Sequence, residues 1–131
     1  MYIAVGSKEG VVDAVKVLAR QAARQGVEVL WDEYELMPHS WPMILPEYPQ
    51  SMGCYQMWAE ACVKFVAGGG KGERESKGYF THFEDMRTES IDVGAMTTLT
   101  MKQVRSMTRM RQASIQPWTG KAATKSSTFK L

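Results

Sequence analysis

The chain has 131 residues and a formal charge of +2, from 16 basic and 14 acidic side chains. With 44% hydrophobic and 23% charged residues it has the composition of one packed domain, which excludes a collagen-like, wholly disordered or disulfide-rich chain. No apolar run approaches the ~20 residues of a membrane-spanning helix, Met1 to Lys8 lack the pattern of a signal peptide, and so small a charge does not call for nucleic acid; the expectation is a soluble, cytoplasmic protein.

Tyr2-Ile3-Ala4-Val5 is a short apolar run with β-branched members, ended by Gly6-Ser7, and predicts a buried strand. Val11, Val15, Leu18 and Ala22 then recur at helical spacing, with Lys16, Arg20 and Arg24 elsewhere, and predict an amphipathic helix stopped by Gly26. Val27 to Tyr34 alternates as a second strand, with Val27, Val29, Trp31 and Glu33 on one side and Glu28, Leu30, Asp32 and Tyr34 on the other. Strand, helix, strand at this length implies two parallel neighbours, part of an open α/β sheet.

Pro38 and Pro42 make Glu35 to Pro42 a loop, and Pro46, Pro49 and Gly53 extend the irregular stretch. Trp58, Cys62 and Phe65 or Val66 repeat at helical intervals within Tyr55 to Val66 and predict a helix that covers the sheet. Tyr79 to Phe83 and Ile91 to Val93 read as extended pieces, and Thr100 to Ala113 as a helix with Val104, Met107 and Arg111 on one face. The expected organisation is a main unit at 1–66, a Gly-rich linker at 67–77, an extension at 78–113 and a flexible tail at 114–131. Charge divides similarly: residues 1–66 carry five basic and eight acidic side chains (5 − 8 = −3), residues 67–131 eleven and six (11 − 6 = +5).

In open α/β sheets, reactive groups gather in loops at the carboxyl ends of strands. Gly6-Ser7-Lys8-Glu9-Gly10 is one such loop and the segment carrying His39 is the other, so a carboxylate and an imidazole thirty positions apart are expected to meet. A carboxylate that accepts the imidazole Nδ1 proton fixes the tautomer and stabilises the imidazolium formed when Nε2 takes a proton from a nucleophile.

Tyr2-Ile3-Ala4-Val5-Gly6-Ser7-Lys8-Glu9, Gln25-Gly26-Val27-Glu28-Val29 and Tyr34-Glu35-Leu36-Met37-Pro38-His39 together resemble the C-terminal portion of the α/β-hydrolase fold, in the hormone-sensitive-lipase-like esterase branch. The resemblance covers residues 1 to about 66, and Ser76 to Arg111 resembles an extension seen in fungal-type relatives. It implies Glu9 as the triad acid, where many relatives have Asp, with Asp13 as the competing acid, and His39 as the triad base. It implies a small-molecule carboxylic ester substrate and no metal or organic cofactor. The family also needs a G-x-S-x-G elbow and an HGGG-type oxyanion loop, and neither is present. Gly6-Ser7-Lys8-Glu9-Gly10 has its serine in the second slot instead of the third, and the family order of Ser, acid, His would put the nucleophile before residue 1. The expectation is a hydrolase-like fragment inactive alone, or else a non-catalytic fragment that associates through an exposed sheet edge.

Other signals have plainer readings. Trp41, Met43 and Ile44 beside His39 suit an acyl pocket, although packing over the sheet explains them as well. Lys71 is followed by Gly72 with no Ser or Thr, so the Gly68 to Gly72 run fails the Walker pattern. His82 has no partner at metal-ligand spacing, and Cys54 and Cys62 form no CxxC pair. Met96, Met101, Met107 and Met110 among Lys102, Arg105, Arg109 and Arg111 make a basic, methionine-rich segment suited to a membrane surface, with burial against its own domain the simpler expectation.

Overall fold

A computed structural model of the chain describes residues 1–67 and 75–114. Most of the Gly-rich linker and the tail from residue 115 lie outside the described residues. The elements are β1 (Tyr2–Gly6), α1 (Val12–Arg24), β2 (Leu30–Tyr34), α2 (Trp41–Ile44), α3 (Pro49–Val66), β3 (Lys77–Thr81), β4 (Thr88–Ile91) and α4 (Met101–Ser114). The strands form one open mixed sheet in the order β1-β2-β3-β4, so the fold is α/β. β1, β2 and β3 run parallel and β4 returns antiparallel beside β3. The residues read as an extension thus contribute β3 and β4 to the same sheet.

Side chains alternate between the faces of a strand, and the register therefore sorts the two layers. Ile3 pairs with Trp31 and Val5 with Glu33; Ile3, Val5 and Trp31 pack with Val12, Val15, Ala19 and Ala22 of α1 and with Val93 and Met96. Ala4 pairs with Asp32 and Gly6 with Tyr34; on that face Tyr34 packs with Met37, Trp41 and Cys54, the last from α3. α1 and α3 consequently cover opposite faces. Each buried aliphatic side chain in these layers contributes on the order of 1.5–3 kcal/mol.

Both helices bury a different stripe from the one expected. Val11, just before α1, and Leu18 within it are exposed, while Val15 and Ala22 face the core together with Val12 and Ala19. The alanines let the helix approach closely, and the expected polar positions turn inward. Lys16 reaches Glu33 Oε1 at 2.9 Å, and Arg20 donates to the carbonyls of Thr97 and Leu99. On α3 the buried residues are Gln50, Ser51, Cys54 and Ala61, whereas Trp58 is 56% exposed and Cys62, Phe65 and Val66 are also exposed. Small residues face the sheet here too.

Pro49 does not extend the irregular stretch. It opens α3 in the first turn, where its missing N–H has no partner to lose, and Gly53 lies inside the helix. Pro42 likewise falls at the start of the short α2. On α4, Val104 is buried and Met107 half-buried, and with Arg111 they border a cleft against α1. Met110 is exposed.

Candidate functional site

The carboxyl ends of β1 and β2 are joined by three hydrogen bonds that the residues after β1 make with the end of β2 and the loop that follows it. Ser7 N–H donates to Tyr34 O at 2.9 Å and Lys8 N–H to Met37 O at 3.2 Å. Leu36 N–H donates to Ser7 Oγ at 2.9 Å. Leu36 and Ser40 both have left-handed backbone, φ 61° and 60°, and bracket the segment that turns His39 outward. Its flanks are anchored inside: Met37 and Trp41 are buried, and the Trp41 ring lies 5.2 Å from that of Tyr34.

Glu9 and His39 meet at this rim. Glu9 Oε2 is 3.0 Å from His39 Nδ1, and Glu9 Oε1 accepts the Gly6 N–H at 2.8 Å. The same turn is closed by Glu9 N–H donating to Gly6 O at 3.0 Å. One carboxylate oxygen is therefore fixed by the strand end while the other orients the imidazole. The Glu9 side chain is 6% exposed and that of His39 78% exposed. Nδ1 faces the buried carboxylate and the rest of the ring is exposed, an arrangement in which a carboxylate can fix the tautomer of an imidazole.

Asp13, the competing acid, sits in the first turn of α1 and borders a cleft of about 90 Å³ with Val104, Met107 and Arg111 of α4. It does not share the carboxylate position beside His39. Trp41 is sealed in the core, while Met43 and Ile44 are 75% and 63% exposed. Those three side chains do not gather into one pocket wall beside the imidazole. Among the described residues no hydroxyl or thiol is hydrogen-bonded to His39, and Ser7 Oγ is engaged by Leu36.

The other histidine has carboxylates on both sides. His82 Nδ1 is 3.5 Å from Glu35 Oε2 and its Nε2 is 3.0 Å from Glu89 Oε1. Glu89 also pairs with Arg87, and the two neighbours, His82 foremost, hold its carboxyl below the ordinary range. The β3-β4 hairpin brings His82, Arg87 and Glu89 together beside Glu35 at the end of β2, and their spacing in sequence carries no motif.

Sequence reading also missed a polar group in the α3 layer. Asp32 is buried and accepts the Tyr2 hydroxyl at 3.2 Å. Burial raises its carboxyl above the ordinary value, against the Tyr34 and Tyr2 hydroxyls that lower it. Burial likewise pushes the Tyr2 and Tyr34 hydroxyls and the Cys54 thiol up. A charged residue in a strand covered on both faces is the signal that would have found it.

Among the described residues there is no group of three His, Cys, Asp or Glu side chains able to hold a metal ion, and no helix long and apolar enough to cross a membrane. Comparisons with protein families, with curated proteins and with solved structures find no match. The reading of the site accordingly rests on its own geometry.

Proposed function

We propose that Glu9 and His39 are the acid and base of an acyl-transfer site of the serine carboxylic ester hydrolase type, the C-terminal portion of an α/β-hydrolase fold, whose nucleophile is not among these residues. The observation that carries this reading is the 3.0 Å contact between Glu9 Oε2 and His39 Nδ1, with the second carboxylate oxygen fixed by Gly6. In that chemistry Nε2 of His39 takes the serine proton as the oxygen attacks the ester carbonyl. The proton passes to the departing alcohol as the acyl-enzyme forms, and water then repeats the sequence. Among the described residues no hydroxyl or thiol is bonded to His39, so on this reading the pair orients a proton acceptor with no nucleophile beside it, and inactivity of the 131 residues alone is the expected outcome.

The coding sequence upstream of residue 1 gives a direct test. An in-frame G-x-S-x-G supports the reading, and the lengthened protein is then expected to hydrolyse a short-chain aryl ester. His39→Ala should lower that turnover by roughly 10³-fold or more. Turnover that survives His39→Ala in the lengthened protein would overturn the assignment.

A second reading rests on the edge position of β1, which among the described residues pairs only with β2. Met1 O and Ser7 N are both directed to β2, so by the alternation of a parallel ladder the N–H groups of Tyr2, Ala4 and Gly6 point to the free side. Glu9 already accepts that of Gly6. The remaining donors form a short template for a strand from another chain, a non-catalytic association surface. Ala4→Pro removes one outward donor and spares the ladder to β2; association in analytical ultracentrifugation that is unchanged by this substitution would exclude the edge as its route.

A further inference from the structure

The α3 layer does not extend across the whole sheet. α3 packs on β1 and β2, and beyond its flank Tyr79 of β3 is in register with Asp32, and Thr81 with Tyr34. The turn before β4 rises there, with Met86 in left-handed backbone at φ 57°. A cavity of about 380 Å³ lies between these parts, bordered by Asp32, Tyr34, Met57, Glu60, Tyr79 and Met86. That volume falls at the lower end of the ~300–1,000 Å³ typical of small-molecule sites, room for a ligand of one ring or a short chain. Gly53 also borders it: a Cβ there would stand 3.4 Å from the Tyr34 hydroxyl and 3.5 Å from the Met86 methyl.

The lining carries one sign of charge. Asp32 and Glu60 contribute two carboxylates, and among the described residues no lysine, arginine or histidine borders the space. Asp32 is 2% exposed, with the Tyr34 and Tyr2 hydroxyls bonded to its carboxylate, and an ionised carboxylate has about four acceptor sites. It has capacity for a further donor. Beside Gln56, Thr81 and Thr88, two tyrosine rings and two methionine thioethers line the wall, surfaces that attract a desolvated cation through ring quadrupoles and polarisable sulfur. Hard divalent ions favour several charged oxygen ligands, and among the described residues no group of three His, Cys, Asp or Glu side chains gathers to hold one. An anionic ligand would meet two like charges.

We propose that this cavity binds a small organic ammonium ion, with its nitrogen against the Asp32 carboxylate and its hydrocarbon part between Tyr34, Tyr79 and the methionine side chains. Glu60 sits at the solvent side and adds a second, weaker attraction. The site contains neither Glu9 nor His39 and is independent of the acyl-transfer reading.

The test is a titration of the full chain, labelled with ¹³C at the methionine methyl groups, with benzylammonium chloride; Met57→Leu and Met86→Leu assign the two signals. Saturable shifts of the Met57 and Met86 methyls are expected. Benzyl alcohol, the neutral analogue, should bind at least about tenfold more weakly, and benzoate should produce no saturable shift. Asp32→Asn should weaken benzylammonium binding about tenfold or more, and Glu60→Gln about two- to threefold, as expected for a buried and an exposed partner. Equal shifts with benzyl alcohol, unchanged affinity in folded Asp32→Asn, or no saturation of the two methyls would overturn the proposal. If Asp32→Asn does not fold, Tyr79→Leu decides in its place: retained affinity overturns the proposal and a loss supports it.

Discussion

The carbonyl oxygen of Met37 lies 2.0 Å from where a Cβ on Gly6 would stand. The two strand-end loops pack backbone to backbone at that point, and this contact carries His39 to Glu9. Gly6→Ala should therefore cost about 2 kcal/mol or more in urea unfolding, since neither partner is a flexible side-chain tip. It should also displace the His39 ring resonances. Gly10, where nothing lies within 4 Å of an added Cβ, provides the control: Gly10→Ala should stay within about 0.5 kcal/mol of the parent.

Glu9 and His39 should differ sharply in their contributions to stability. Glu9→Ala leaves the Gly6 N–H without its acceptor, and a loss of about 1–3 kcal/mol is expected. His39→Ala removes a mostly exposed ring and should change stability by less than about 0.5 kcal/mol. Chemical denaturation of both variants checks this, and comparable losses would mean that the imidazole is structural.

Asp32 makes stability depend on pH in an unusual direction. Its carboxyl is raised by burial, so above about pH 4 the folded state binds more protons than the unfolded one, and stability declines as pH rises toward the folded value. Asp32→Asn removes this contribution. The variant should gain stability relative to the parent between pH 4 and 7, by about 1 kcal/mol, with the difference vanishing below the ordinary aspartate range. Thermal melts across that interval would show it, and a gap that widens on acidification would contradict it.

The Lys16 and Glu33 pair offers a fourth test. The Glu33 side chain is 4% exposed and that of Lys16 23%, so Lys16→Met strands a buried carboxylate and should cost about 2 kcal/mol, less than a fully buried pair because Lys16 is partly solvated. Combining it with Glu33→Leu should restore much of the loss. A purely additive double variant, measured by denaturation, would show that the two side chains do not interact.

The strands β1 and β2, helix α1 between them and the meeting of Glu9 with His39 were all legible, because alternation and helical spacing locate elements and a parallel pair brings its strand-end loops to one rim. Which stripe of a helix faces inward was less legible. On α3 the apolar spacing of Trp58, Cys62 and Phe65 competed with the small residues Cys54 and Ala61, and only the close approach of helix to sheet decides for the smaller set. Lys16 and Arg20 read as surface residues because their partners, Glu33 and the carbonyls of Thr97 and Leu99, are remote in sequence. Gly6 read only as a strand end; its need for hydrogen in place of a side chain comes from Met37, thirty-one positions later.

The strand order β1-β2-β3-β4 repeats the order of the chain. During ribosomal synthesis each new strand can add beside the one made before it, with no insertion between strands already paired. The waits are unequal: Tyr2 meets Leu30, Leu30 meets Lys77, and Thr81 meets Thr88. The slowest closure is the parallel docking of β3, because its loop is the longest and the entropic cost grows with length. Until Lys77 emerges, β2 has an open flank, and a nascent chain stalled at that length should be the species most prone to capture by chaperones.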